Sequence, residues 1–239
     1  MIIEGALSVK AALKYENRDV YHVYLPSKKH TKDIQYIRHL CYKNNIEFSL
    51  ISKEEATEMA VGNTHGGVLA KVGYRTYQED FAPSSDIMLI EGIEDPYNLG
   101  MVIRTATAAG FSTVITNYRE YNDNEAIILK ASAGTSEAIH WIAVDSFDDI
   151  LSKLKQDNIP IYSALRSKNS MEYDQVTYPN RICLCIGGEK RGLSKPVIEA
   201  SDVFVHVVYD NTVKVALTSV SASAVLAFEV VRQRKSANI

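Results

Sequence analysis

The 239-residue sequence contains no apolar run approaching the roughly 20 residues that a helix needs to cross a bilayer, which excludes a helical membrane span. Its opening, Met1-Ile2-Ile3-Glu4-Gly5, has no basic region leading into a long apolar stretch, so no secretory signal is expected and the protein is placed in the cytoplasm. Cysteine is scarce: Cys41, Cys183 and Cys185 cannot all pair and show no paired C-x-x-C spacing, which excludes a disulfide framework and a zinc knuckle. Cys183 and Cys185 alternate along one apolar run and read as small buried apolar side chains. None of the six histidines, His22, His30, His39, His65, His140 and His206, lies in a metal-binding or triad-like pattern, so no metal site is expected. Positive charge is not in excess; the formal net charge is −3, and any nucleic-acid contact must use local patches. Both glycine spacings of common phosphate cradles, G-x-G-x-x-G and G-x-x-x-x-G-K-[ST], are missing, which argues against a dinucleotide or triphosphate enzyme. No internal repeat or low-complexity tract is present.

What remains is an ordinary folded composition, 46% apolar and 23% charged, in a chain long enough for two domains. The first third predicts helices over Ser8–Tyr15, Lys32–Lys43 and Lys53–Met59, and strands over Val20–Leu25, Glu47–Ile51 and Val68–Val72. This alternation indicates a small layered α/β unit, residues 1–75. From Tyr74 to Ser85 the apolar periodicity lapses around Pro83 and two serines, giving a linker at 76–85. Residues 86–239 then alternate again. Strands are expected at Ile87–Ile90, Thr113–Thr116, Ile161–Ala164, Ile182–Ile186 and Val203–Val208, and helices at Leu99–Ala109, Ala126–Ala131, Asp148–Gln156 and Leu217–Arg234. Strands apolar on both faces and separated by helices imply a mostly parallel, helix-covered sheet. The last helix is apolar over most of its surface, so the sheet or a second subunit must cover it.

Three segments could carry chemistry. The first runs from Glu94 to Ala106, at a strand-to-helix junction where ligands of open α/β sheets bind. Asn98 suits a helix cap. Arg104, six residues and about 1.7 turns further on, is expected near the same face at the mouth of the loop, where it could meet a phosphate or ribose; a solvated helix arginine is the plainer reading. The second segment, Ile186-Gly187-Gly188-Glu189-Lys190-Arg191-Gly192-Leu193-Ser194, lets backbone amides approach a ligand and holds a carboxylate among them; a tight surface turn also explains it. The third joins the strand Val203–Val208, a polar loop Tyr209-Asp210-Asn211-Thr212-Val213-Lys214, and the Ser/Ala-rich helix. Its small residues suit a flat ligand or close helix packing.

Taken in order, these segments resemble the three motifs of the SpoU (TrmH-like) family of SPOUT RNA methyltransferases. Asn98, Gly100 and Arg104 fit N-x-G-x-x-x-R; Gly187, Glu189, Gly192, Leu193 and Ser194 fit G-x-E-x-x-G-L-S. The third motif, usually I-P-M, a loop and S-L-N-V-S-V-A, is met by Val208-Tyr209-Asp210 and by Ala216-Leu217-Thr218-Ser219-Val220-Ser221-Ala222, with Glu229 later in the helix. Ala216 and Thr218 replace its Ser and Asn. The Ile3-Glu4-Gly5 segment and the turn Asn63-Thr64-His65-Gly66-Gly67-Val68 resemble the small ribosomal-protein-like RNA-binding domain common in that family.

The resemblance implies a parallel-sheet domain with a deep trefoil knot and a homodimer whose active site lies at the subunit interface. It also implies S-adenosylmethionine as cofactor and methyl transfer to a ribose 2′-hydroxyl of RNA, ribosomal before transfer RNA. It assigns catalysis to Arg104, Asn98 and Glu189. In the family the Arg104 equivalent is proposed to activate the hydroxyl, but a guanidinium stays protonated, so clamping phosphate and orienting the hydroxyl is the expected role, with Glu189 ordering its loop and the substrate pocket. Cofactor binding falls to Gly188, Ile186, Val208, Leu217, Ala164 and Thr218. Lys28, Lys29 and Lys32, which cluster with His30 in a polar segment before a helix, and Arg104 are the expected RNA contacts; a solvated loop explains the cluster equally. The two replacements in the third motif leave open a second reading, an RNA-binding protein that keeps the fold without the chemistry.

Overall fold

The computed structural model of the protein describes residues 1–210 and 215–237, so 211–214 of the predicted polar loop lie outside the described residues. The chain forms two compact units.

Unit one comprises residues 1–77 and 120–138. Its sheet has the order β1 (Ile2–Glu4), β4 (Leu69–Val72), β2 (Val20–Pro26), β3 (Phe48–Ile51), with β4 antiparallel to both neighbours and β2 parallel to β3. Successive strand residues point to opposite faces. Ile3, Val23, Leu25, Ala70 and Val72 join Val9 and Leu13 of α1 (Ala6–Tyr15) and Ile34, Ile37 and Leu40 of α2 (Lys32–Lys43) in one core. On the other face Ile51 and Leu69 meet Ala56 of α3 (Lys53–Met59). Helix starts follow local chemistry: the Thr31 side chain accepts from the Ile34 amide, and Ser52 and Glu55 form a reciprocal capping box. Cys41 sits in the first core, where burial pushes its thiol up to about 11, leaving it an inert apolar group.

The later segment 120–138 contributes α5 (Glu125–Ala131) and α6 (Thr135–Ala138) to this unit. Buried charges fasten it. The Arg18 guanidinium donates to Glu137 at 2.8 and 3.1 Å and to Glu125 at 3.0 Å, and the Arg75 amide donates to the same Glu125 carboxylate. Glu4 accepts from Lys130 and from the Gly62 amide. Burial alone would raise the Glu4 carboxyl, but Lys130 and the Val61 and Gly62 amides outweigh it and hold it below its ordinary value.

Unit two, 78–119 with the chain from 139 onward, is built on seven strands: β5 (Ile87–Glu91), β6 (Thr113–Asn117), β7 (His140–Val144), β8 (Ile161–Ala164), β9 (Met171–Glu172), β10 (Cys183–Gly187) and β11 (Val203–His206). Across the sheet they run β7-β6-β5-β10-β8-β11-β9, every neighbouring pair parallel. Ile87 to Ile90 are all at most 2% exposed, as a strand covered on both faces requires. Phe147, with Ile150, Leu151 and Leu154 of α7 (Asp148–Gln156) and Val197 and Ala200 of α8 (Lys195–Ala200), covers one face. The helices α4 (Pro96–Ala108) and α9 (Ser219–Ala237) pack on each other, with α9 also against β10. Near the end of α9, Arg234 pairs with the buried Asp86, Nη2 to Oδ1 at 2.9 Å. Strand β11 stops at His206 and α9 starts at Ser219, so Val208, Leu217 and Thr218 lie in neither element.

The strand order fixes where a ligand can bind. From β5 the chain winds outward through β6 and β7, crosses to β8, and later inserts β10 between β5 and β8. Chain direction across the sheet therefore reverses at β5 and β10, and the crevice beyond their carboxyl ends is the topological switch point of an open parallel sheet.

Candidate active site

Strands β5 and β10 end in register, Glu91 opposite Gly187, and their loops interlock. The Gly188 amide donates to the Glu91 carbonyl at 2.7 Å, the Gly192 amide to the Gly188 carbonyl at 2.9 Å, and the Ser194 amide to the Glu91 carboxylate at 2.7 Å. Glycine is required sterically: a Cβ on Gly188 would lie 2.6 Å from the Gly92 carbonyl carbon, and one on Gly187 would lie 2.6 Å from the Gly192 carbonyl carbon. The close approach that glycine permits at 188 is thus to the neighbouring loop. The Ser219 hydroxyl, at the start of α9, donates to the Gly187 carbonyl at 2.8 Å and ties that helix to the same corner.

Two cavities meet there. One, of about 770 Å³, is lined by Glu91–Asp95, Asn98, Asn117, Gly188–Gly192, Ser194, Ser219 and Val220. The other, of about 440 Å³, lies between the ends of β8, β10 and β11 and the segment before α9; Ala164, Ile186, Leu217 and Thr218 are among its walls. Gly188, Glu189, Gly192 and Ser219 line both. Small and apolar walls with glycine backbone suit a flat heterocycle, while the first cavity offers carboxylates and amides.

Of the expected site residues, Asn98, Gly188, Glu189, Ala164, Ile186, Leu217 and Thr218 are brought to these cavities. Asn98 does not cap its helix: the cap is Asp95, whose carboxylate accepts from the Asn98 amide at 2.8 Å with Pro96 in the first turn. The Asn98 side chain is thereby left to the cavity. Thr218 caps α9, its hydroxyl accepting from the Ser221 amide. The carboxylate of Glu189 is exposed and has no hydrogen-bond partner among the described residues, so its loop is ordered by Glu91, contrary to expectation. Val208 is 53% exposed and outside the smaller cavity, where Val207 and Tyr209 stand instead, because β11 ends two residues earlier than its apolar run. Arg104 is exposed, has no ion-pair partner among the described residues, and lines neither cavity. Six residues advance an α-helix by about 600°, which leaves Arg104 roughly 120° around from Asn98 and not on its face. Lys28, Lys29 and Lys32 are exposed in unit one around the entry to α2; Lys29 donates to the Gly66 carbonyl at 3.2 Å.

Sequence reasoning did not single out Glu91, Asn117 or Arg166, and it placed Tyr209 in the third motif without a role. Glu91 ends a recognisable strand, and Arg166 follows β8 by two residues, but only the strand order reveals which strand ends converge.

Comparisons with known proteins agree with this geometry. Residues 86–227 match the family model described as the SpoU rRNA Methylase family, and residues 2–78 match a model for RNA 2'-O ribose methyltransferase substrate binding. The 23S rRNA (guanosine-2'-O-)-methyltransferase RlmB of Salmonella typhimurium is 26% identical over 241 residues, covering 98% of each chain. Among solved structures, an RNA 2'-O ribose methyltransferase superposes with a TM-score of 0.79 at 23% identity, covering 98% of this chain and 89% of the other. The SpoU methyltransferase AviRb of Streptomyces viridochromogenes, in complex with AdoMet, gives 0.78 at 18% identity, covering 99% and 91%. With a switch-point site formed by the very segments that carry its motifs, and a family model spanning more than half of its length, the chain belongs to the SpoU rRNA methylase family.

Proposed function

We propose that the protein is a methyltransferase that uses S-adenosylmethionine to methylate a ribose 2′-hydroxyl of ribosomal RNA. The observation that carries this reading is the pair of adjoining cavities sharing Gly188, Glu189 and Ser219, one suited to an adenosine and one open to an acceptor. The residues present fit the cofactor: Ile186, Leu217, Ala222 and Leu226 give apolar cover, and the backbone of Gly187 and Gly188 forms part of the wall. When bound there, S-adenosylmethionine supplies an electrophilic methyl group on a sulfonium sulfur.

The chain's own task is then mainly positioning, which can supply several kcal/mol of rate acceleration. Asn98 and Asn117 offer amide groups to an acceptor nucleotide, and Glu189 stands on the wall common to both cavities. Arg104 lines neither cavity of its own subunit, so in this reading it serves the site of a second copy, as a phosphate clamp that also orients the hydroxyl. Its permanent charge suits clamping, since a guanidinium does not give up a proton at neutral pH. Tyr97 on α4 and Phe228 on α9 are 57% and 48% exposed, which supports a homodimer covering these helices. Unit one, with Lys28, Lys29 and Lys32, would dock the RNA.

The test is calorimetric titration with S-adenosylmethionine, followed by mapping of 2′-O-methylation on a 23S rRNA transcript. Wild type should bind and methylate, and Arg104→Lys, which keeps the charge but loses the planar fork, should bind the cofactor yet lose most of the activity. Near-wild-type methylation by Arg104→Lys would reject the clamp. No cofactor binding by wild type, even with RNA present, would favour the RNA-binding protein without chemistry.

A further inference from the structure

We infer that Arg166, with Tyr209 beside it, forms a carboxylate-binding subsite that holds the amino-acid end of the cofactor; this rests on the cofactor reading above. Three observations lead to it. Among the described residues that line the smaller cavity, Arg166 is the one permanent cation. That guanidinium has no carboxylate partner among the described residues; it is exposed and lies 5.9 Å from the Tyr209 ring centroid, at the outer limit of a cation–π contact. The backbone that carries it is pinned on both sides. The Leu165 amide donates to the Val205 carbonyl at 3.0 Å. The Ser167–Ser170 turn closes on itself through the Ser170 hydroxyl, which also pairs with the His206 ring nitrogen Nδ1 at 3.0 Å. Tyr209 is tied in turn to the opposite wall, where its hydroxyl accepts from the Leu217 amide at 3.4 Å.

A fixed base with a free, planar, five-donor head at the rim of a ligand cavity is suited to an anion that arrives with the ligand. Guanidinium and carboxylate match as a two-bond fork, and such charge-assisted pairs are about twice as strong as neutral hydrogen bonds. S-adenosylmethionine has one anionic group, the α-carboxylate of its methionine end. The sulfonium and ammonium are cations that Arg166 would repel, and the adenosine is neutral. The subsite therefore selects the end of the ligand farthest from the heterocycle and directs it toward the β8 and β11 side, which leaves the sulfonium region toward the wall shared with the acceptor cavity. Arg166 acts here as a positioning and specificity residue.

Calorimetry with three ligands on the full-length protein separates this role from a merely structural one. S-adenosylmethionine and S-adenosylhomocysteine both carry the carboxylate, while 5′-methylthioadenosine lacks the whole amino-acid end. Arg166→Ala should weaken the first two by about tenfold or more, the scale of a lost charged hydrogen bond, and change 5′-methylthioadenosine by less than about twofold. Arg166→Lys should recover part of the loss. Retained 5′-methylthioadenosine binding also reports an intact fold. Equal weakening of all three ligands, or unchanged binding of S-adenosylmethionine, would overturn the subsite while leaving the cofactor reading standing. Failure of wild type to bind any of the three would remove both.

Discussion

The interlocked glycine loops make a sharp prediction for Gly188→Ala. The new methyl carbon would lie 2.6 Å from the Gly92 carbonyl carbon and 3.3 Å from its Cα, against an ordinary carbon–carbon separation of about 3.5–4.0 Å. Both obstacles are backbone, so no side-chain rotation relieves them, and the 188 loop must retreat by roughly 1 Å. Overpacking of this kind costs about 1–3 kcal/mol, and the retreat also weakens the 2.7 Å bond from the Gly188 amide to the Glu91 carbonyl, worth about 1 kcal/mol. At about 2–4 °C per kcal/mol for a chain of this size, the midpoint of thermal unfolding should fall by about 5–10 °C. Because Gly188 lines both cavities, S-adenosylmethionine affinity should fall with it. Gly110→Ala is the control: its φ of +86° brings left-handed strain, but its methyl would meet nothing within 4 Å, so it should cost about 1–2 kcal/mol and spare the cofactor site. Differential scanning calorimetry and ligand titration of both variants decide the matter. If Gly188→Ala were no less stable than Gly110→Ala and bound S-adenosylmethionine as wild type does, the steric reasoning would be wrong.

Two further outcomes concern unit one. Arg18→Met leaves Glu137, whose side chain is fully buried, without its main counter-charge and should cost about 3–5 kcal/mol in urea unfolding; the double variant Arg18→Met/Glu137→Leu should lose much less than the sum. Glu4 is held below its ordinary value near 4.5, so its stabilising contribution is fully present above that pH and is lost as pH falls through the depressed folded value. The urea midpoint of wild type should therefore drop more steeply on acidification than that of Glu4→Gln, and parallel curves for the two proteins would contradict the assignment.

The elements of this protein were legible because their residues state them locally. The heptad-scale spacing of Ile34, Ile37 and Cys41 on α2, the all-apolar Ile87–Ile90 of β5, and the Ser52–Glu55 box are short-range signals that survive in the fold. The parallel sheet and the motif segments were legible for the same reason. Strands β1, β7 and β9 were missed, β1 and β9 because two or three residues give too little periodicity, and the cap of α4 was assigned to Asn98 when Asp95, just before Pro96, takes it. Face assignments across a helix also depend on phase: an error of one third of a turn moved Arg104 from the cavity to the outside.

What the sequence by itself determined is the inventory: two α/β units, buried cysteines, and a glycine-rich loop after the strand that becomes β10. Only the tertiary structure decided which of these meet. The insertion of β10 between β5 and β8 brings Glu91 against Gly188, the placement of β11 beside β8 sets Arg166 near Tyr209, and the buried charges of Arg18 and Glu4 draw 120–138 into the first unit. These are contacts between residues 43 to 126 positions apart, and their energies depend on burial and on partners that no local window of sequence contains.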